Sequence, residues 1–171
     1  MHIRSVSEND AERLAEIYSY YVKNTAVSFE YDPPDAAEFS RRISATLKKY
    51  PYFVAEENGK VLGYAYAGAF VGRAAYRHSC ELSIYVDHNE KGKGCGRALY
   101  ETMESALKKM GFTNMYACIG DPVTEDEYLT KDSEHFHEHL GFVKVGEFHG
   151  CGFKFGRRYN MIWMEKLIDE N

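Results

Sequence analysis

The chain of 171 residues is 44% apolar and 27% charged, a globular balance that argues against a disordered chain and against a membrane-embedded one. Its formal net charge of -5 speaks against a general affinity for nucleic acid, so any anion site must be local. One domain spanning residues 1–171 is expected at this length.

His2 to Val6 reads as a strand, and Ser7 followed by Asp10 as a helix start. Ala11, Leu14, Ala15, Tyr18, Tyr21 and Val22 then recur at the spacing of one buried helical face. Asp32, Pro33 and Pro34 break the chain, and Asp35 is placed to cap a second helix running to about Lys49. Tyr52 to Glu56 and Val61 to Phe70 read as strands joined by an Asn58-Gly59 hairpin turn.

Cys80 to Val86 alternates cleanly. Cys80, Leu82, Ile84 and Val86 share one face, expected in the core, while Glu81, Ser83 and Tyr85 present a carboxylate and two hydroxyls on the other. A loop from Asp87 to Gly96 leads into a helix whose expected buried stripe is Leu99, Met103, Ala106, Leu107 and Met110, stopped by Gly111. Asn114 to Ile119 is a strand, Asp132 to Leu140 a short helix ended by Gly141, and Phe142 to Phe148 and Asn160 to Leu167 are closing strands. The order predicts an α/β fold, a mixed sheet flanked by helices.

The loop Lys91, Gly92, Lys93, Gly94, Cys95, Gly96, Arg97 lies between a strand and a helix N-terminus. Free main-chain N–H groups and the positive end of a helix dipole favour an anion there, and glycines let it approach closely. A Walker loop is excluded by the lack of a Lys-Ser or Lys-Thr ending, and a dinucleotide fingerprint by the missing third glycine. Cys80, Cys95, Cys118 and Cys151 form no close pairs of the kind that chelate zinc, and they read as reduced thiols. His135, His137 and His139 do not make a metal triad, because only His135 and His139 share a helical face, so no metal is expected.

With the strand end Ile84, Tyr85, Val86 before it, this loop resembles the acetyl-CoA site of the GNAT superfamily, whose pattern is Gln or Arg, two residues, Gly, one residue, then Gly or Ala. Gly94 and Gly96 match; Lys91 stands where the pattern has Gln or Arg. From about Ile3 to Leu167 the chain further resembles the phosphinothricin and methionine sulfoximine N-acetyltransferase branch. The resembling stretches are Thr25 to Phe29, Gly72 to Tyr76, Glu81 to Val86, Gly94 to Tyr100, His137 to Phe142 and Gly152 to Trp163.

The resemblance implies a mixed, mostly antiparallel sheet with helices on both faces. It implies acetyl transfer from acetyl-CoA, bound along Ile84 to Val86 and Lys91 to Arg97, to the primary amine of a small amino-acid-like molecule in a ternary complex. Glu81 aligns with a general base and His137 with a histidine near the acyl site that assists proton movement or binds substrate. Phe29, Arg73 and Tyr76 align with the acceptor pocket, Arg73 as a carboxylate clamp. Thr130 and Ser133 are expected on the cofactor arm, with Thr130 standing where the branch carries asparagine. A main-chain N–H near Tyr85 or Val86 would hold the oxyanion.

A homodimer in the cytoplasm, with no nucleic-acid or membrane partner, completes the expectation; the N-terminal residues have no apolar run of the secretory kind. Two rival readings are an enzyme acting on a protein N-terminus, lysine or polyamine, and a non-catalytic acyl-CoA sensor.

Overall fold

The computed structural model describes residues 1–169. Its strands are β1 (His2–Ser5), β2 (Tyr52–Glu57), β3 (Lys60–Ala69), β4 (Ser79–Val86), β5 (Asn114–Asp121), β6 (Val143–Lys154) and β7 (Arg157–Leu167). Its helices are α1 (Ala11–Asn24), α2 (Ala36–Leu47), α3 (Cys95–Lys109) and α4 (Asp132–His139). The strands form one sheet in the order β1-β2-β3-β4-β5-β7-β6, antiparallel throughout except for the parallel pair β4–β5.

Local chemistry accounts for most of the boundaries. Asp35 accepts the Glu38 amide at 2.9 Å and so caps α2, while Asp10 accepts the Ser7 amide at 2.8 Å ahead of α1. Asn58 and Gly59 both take positive φ, the requirement of a tight two-residue hairpin. α3 starts earlier than the sequence suggests, with Gly94 at φ 79° as its cap, so Gly96 is inside the first turn rather than in the loop.

Three expectations need correction. Met110 is 51% exposed, because α3 ends at Lys109 and the reversal at Gly111 turns it outward, while Cys95 and Tyr100 take places in the buried stripe. β6 runs on past Phe148 to Lys154, since a bulge between Phe148 and Gly152 absorbs the glycines that read as a strand end. β7 accordingly begins at Arg157, after a turn in which Phe155 and Gly156 both have positive φ.

The sheet is covered on both sides. On one face α1 and α2 bury Leu14, Val22, Phe39 and Ile43 against Val54 and Tyr64 of β2 and β3. On the other, α3 lays Leu99, Met103 and Leu107 over Leu82, Met115, Ile162 and Met164, with Phe136 and Leu140 at the end of α4 packed alongside. Each such side chain contributes about 1.5–3 kcal/mol by leaving water, so the two layers hold the central strands rigidly from both sides. Tyr85, which alternation places on the polar face of β4, is packed beneath α1 against Tyr18, Tyr21 and Tyr64. That face is therefore lined by aromatic rings at its Tyr85 end, where Tyr85, Tyr64 and Tyr66 also border a cavity of about 310 Å³ beneath Arg41 and Arg42 of α2.

Candidate active site

The site starts from a fault in the sheet. β4 pairs with β5 only from Ser79 to Leu82, although β4 continues to Val86 against β3 and β5 continues to Asp121 against β7. Beyond the Leu82–Ala117 pair the two strands splay, and a gap opens through the sheet. Leu82, Ile84, Ala117 and Ile119 border it on the α3/α4 face; Ser83, Tyr85, Cys118 and Gly120 border it on the α1/α2 face.

The free edge of β4 is a strand without a neighbour. The Asp87 amide donates to Leu62 of β3 at 2.8 Å, so by alternation Tyr85 and Ser83 also turn their amides to β3, whereas Ile84 and Val86 turn theirs into the gap. The Val86 carbonyl accepts from the Tyr21 hydroxyl. What remains open is the Ile84 N–H and C=O and the Val86 N–H, groups able to pair with an extended amide-bearing arm or to hold an oxyanion. Of the two positions expected for the oxyanion donor, Val86 has the right orientation and Tyr85 does not.

From the gap a groove of about 420 Å³ runs to the N-terminus of α3, lined by Ile84, Val86, Gly92, Gly94, Gly96 and Arg97 on one side and Thr130, Ser133 and Phe136 on the other. The amides at the start of α3 have no partner within the helix and point into this groove's end. Gly92 and Gly94 take φ of 80° and 79°, which a side chain would strain. Gly96 serves a different purpose, since a Cβ there would lie 2.9 Å from the Phe136 ring, so its absence lets α4 close on α3.

Lys91 lies over the Tyr21 ring at 5.7 Å and borders the groove. Lys93, by contrast, pairs with Glu90, and neither it nor the Tyr85 ring lines the groove. Cys95 lines it but is buried against Gly63, its thiol pushed up to about 11 mainly by burial. The loop is anchored from below by Arg13, which pairs with Asp87, and by Lys60, which pairs with Glu90.

Glu81 and His137 lie on opposite sides of the sheet. Glu81 is half-buried on the α1/α2 face, flanked across the sheet by Gly68 and Tyr116. Burial alone raises its carboxyl above the usual range, the environment a general base requires. Cys118, on the same face, has its thiol held up to about 11, first by burial and then by Glu81, so it stays protonated at neutral pH.

His137 is 2% exposed on the α3/α4 side. Its Nδ1 donates to the Ser133 carbonyl at 2.7 Å, which leaves Nε2 as the acceptor for the Tyr100 hydroxyl at 3.0 Å. Burial lowers its pKa to about 4, so the ring is neutral under physiological conditions. Both nitrogens are engaged, and the histidine meets the gap as a wall rather than as a free base.

The three residues expected at the acceptor are divided. Phe29, on the α1–α2 loop, reaches the gap: its ring approaches β5 at Gly120 and β6 at Gly152, where a Cβ would sit 2.5 Å from it. That loop is pinned by the buried Lys154, whose ammonium donates to the Ser28 carbonyl at 2.6 Å, and by the Tyr31 hydroxyl, which donates to the Phe153 carbonyl. Arg73 and Tyr76 lie instead on the exposed β3–β4 loop at the start of β4, where Tyr76 meets the Phe70 ring edge-on.

The stretch from Asp121 to Lys131, with Glu125, Asp126 and Glu127 close together, is internal bracing. Asp126 accepts the Tyr128 and Leu129 amides and the Tyr159 hydroxyl, and Lys131 bridges Asp121 and Glu134. Tyr100, Leu82, Ala117 and Lys154 were not singled out by their pattern in sequence. Leu82 and Ala117 read there as strand positions, Tyr100 as a helix residue outside the expected buried stripe, and Lys154 as part of a resembling stretch between the two closing strands. Among the described residues no group of three His, Cys, Asp or Glu is placed to hold a metal.

Residues 3–163 match the family model described as an acetyltransferase (GNAT) domain. The chain is 36% identical over 174 residues to the L-amino acid N-acyltransferase MnaT of Escherichia coli (strain K12), covering 99% of this chain and 95% of the relative. It is 34% identical over 168 residues to the phosphinothricin N-acetyltransferase of Alcaligenes faecalis, covering 98% of this chain and 82% of that one. A crystal structure of a GNAT superfamily phosphinothricin acetyltransferase from Sinorhizobium meliloti, in complex with AcCoA, superposes with a TM-score of 0.91 at 36% identity, over 99% of this chain and 89% of that chain. A sheet that splays beside a glycine loop at a helix N-terminus is thus matched along almost the whole sequence, and the chain belongs to the GNAT acetyltransferase family.

Proposed function

We propose that the protein is an acetyl-CoA-dependent N-acetyltransferase whose acceptor is the primary amine of a small amino-acid-like molecule of the phosphinothricin or methionine sulfoximine type. The observation that carries this reading is the gap through the sheet, with a cofactor-sized groove on one side and Glu81 on the other. Two substrates entering from opposite faces meet there without a covalent enzyme intermediate. The pyrophosphate rests on the amides of residues 92–97, and the pantetheine arm pairs with the open edge at Ile84, between β4 and the Thr130–Ser133 segment.

On the acceptor side Glu81, ionised, removes a proton from the substrate ammonium through a water. The amine attacks the thioester carbonyl, the Val86 N–H receives the oxyanion, and the products are the amide and the thiol of CoA. Phe29 bounds the acceptor, and Arg73 clamps its carboxylate. Tyr76 borders the same approach. His137, neutral and doubly bonded, supports this chemistry by fixing Tyr100 rather than by exchanging protons with substrate.

The exposure of Arg73 favours a second reading, an acceptor as large as a protein N-terminus, unless a second subunit covers that loop. We take the homodimer as the working assembly, since β6 exposes Val143, Val145, Phe148 and Phe153 along an edge strand, and light scattering of the purified protein tests it. One catalytic domain and a cytoplasmic location, consistent with four free cysteines, complete the proposal.

Thiol release from acetyl-CoA, measured with phosphinothricin, methionine sulfoximine, methionine sulfone, ordinary amino acids, polyamines and N-terminal peptides, tests the acceptor class. Turnover concentrated on the tetrahedral amino-acid analogues supports it. Turnover on peptides alone would transfer the assignment to a protein acceptor, and binding of acetyl-CoA without turnover on any amine would make the protein a sensor.

A further inference from the structure

The gap has a dead end. Where β4 and β5 rejoin, the groove narrows into a recess of about 60 Å³, and the two spaces share Val27, Ile84 and Ser133 as common walls. The recess is closed by Leu82 and Ala117, the last paired residues of the two strands, and by Tyr100 and His137 behind them. All four are almost fully buried. Within this recess, a thioester whose carbonyl faces the Val86 amide can point its acyl chain towards Ser83, Cys118 and Gly120 on the Glu81 side, where it would block the attacking amine, or towards the end made by Leu82, Ala117, Tyr100 and His137.

We infer that Leu82, Ala117, Tyr100 and His137 form a length gauge that admits an acetyl group and rejects longer acyl chains. The inference deepens the proposed transfer reaction and rests on it for the position of the thioester. The recess holds about 60 Å³ against about 420 Å³ for the groove, so the end of the acyl chain meets a far tighter space than the rest of the cofactor.

The wall cannot yield cheaply. His137 is tied at both nitrogens to Ser133 and Tyr100, and its ring meets Phe136, Phe142 and Tyr100 at centroid distances of 5.2, 5.2 and 5.4 Å. Moving it would break two hydrogen bonds and repack three aromatic rings, whereas a flexible aliphatic floor would simply shift. The polar pair Tyr100–His137 accordingly serves as a rigid stop on the α3/α4 side of the recess.

The test is kcat/KM for acetyl-, propionyl- and butyryl-CoA at one saturating amine, for the wild type, His137→Ala, Leu82→Ala and Tyr100→Phe. Each added methylene lowers wild-type kcat/KM by about 10–200-fold. His137→Ala raises the butyryl-to-acetyl ratio at least about tenfold, and Leu82→Ala, which opens the recess from the sheet side, does the same if the histidine variant fails to fold. Tyr100→Phe keeps the bulk of the wall but removes one of the two hydrogen bonds that hold His137, so it raises the ratio by less than His137→Ala does, which separates the size of the wall from its rigidity.

Butyryl-CoA used within about threefold of acetyl-CoA by the wild type, or a ratio unmoved in a folded wall variant, overturns the inference while leaving acetyl transfer intact. Should no acyl-CoA be turned over with any amine, the transfer reading itself falls. Calorimetric affinities for acetyl- against butyryl-CoA then judge the wall, and equal affinities overturn it.

Discussion

The two faces of the sheet are built on different principles. On the α3/α4 face the groove proposed for the cofactor is made of main-chain groups, glycines and buried rings: the open edge of β4, the first turn of α3, and the Gly96–Phe136 and Tyr100–His137 contacts. The α1/α2 face, proposed for the acceptor, offers side chains carried on loops, with Phe29 pinned by Lys154 and Arg73 left exposed. The first arrangement suits a ligand that is always the same, because backbone geometry is hard to vary. The second suits a ligand that differs between relatives, because exposed loops tolerate change.

This contrast can be broken experimentally, and the largest effect is expected at its boundary. Glu81→Gln lowers kcat/KM by about 10²–10⁴-fold with little change in acetyl-CoA affinity. Activity needs the ionised carboxylate, so the wild-type rate rises with pH through a pKa held above the usual carboxylate range, and that limb vanishes in the variant. Because a raised carboxyl pKa disfavours the charged form in the folded state, Glu81→Gln also raises the thermal midpoint at neutral pH. A lowered midpoint would mean that the glutamate is a structural anchor.

Two mirrored substitutions come next. Gly96→Ala drives a methyl towards Phe136 and raises KM for acetyl-CoA, whereas Gly152→Ala drives one into the Phe29 ring and raises KM for the amine. Overpacking of this kind costs about 1–3 kcal/mol, and steady-state kinetics with each substrate varied in turn shows whether the effects stay on separate substrates. Crossed effects would show that the two faces are mechanically one site.

A smaller effect concerns stability against acid. His137 has its pKa lowered to about 4 in the folded protein, so the stability tied to its neutral form is present above the unfolded value of about 6.5 and is lost as pH falls between the two. His137→Gln flattens the dependence of the thermal midpoint on pH over that window. The smallest effect is expected at Lys91→Ala, an exposed cation, where KM for acetyl-CoA rises by a few-fold at low salt and less at high salt.

Much of this architecture was legible in the sequence wherever one local rule governs. Alternation along Cys80–Val86 separated Glu81 from the core, and Asp35 and Asn58-Gly59 marked a cap and a hairpin turn. The loop between strand and helix reads as an anion site because orphan amides and glycines are features of adjacent residues. These are properties of a few consecutive residues, and chain order is enough to reveal them.

Tertiary structure alone decided the rest. The early parting of β4 and β5 cannot be seen in either strand, since it depends on how far each stays paired with its outer neighbour. Nor does the sequence reveal that Glu81 and His137 lie on opposite faces, that Tyr100 turns the histidine into a wall, or that Lys154 crosses from β6 to hold the loop of Phe29. The last two contacts join Tyr100 to a ring 37 residues away and Lys154 to a main-chain carbonyl 126 residues away, through burial that determines which hydrogen bond a polar group makes. Sequence spacing settles which residues share a face; only packing settles what that face meets.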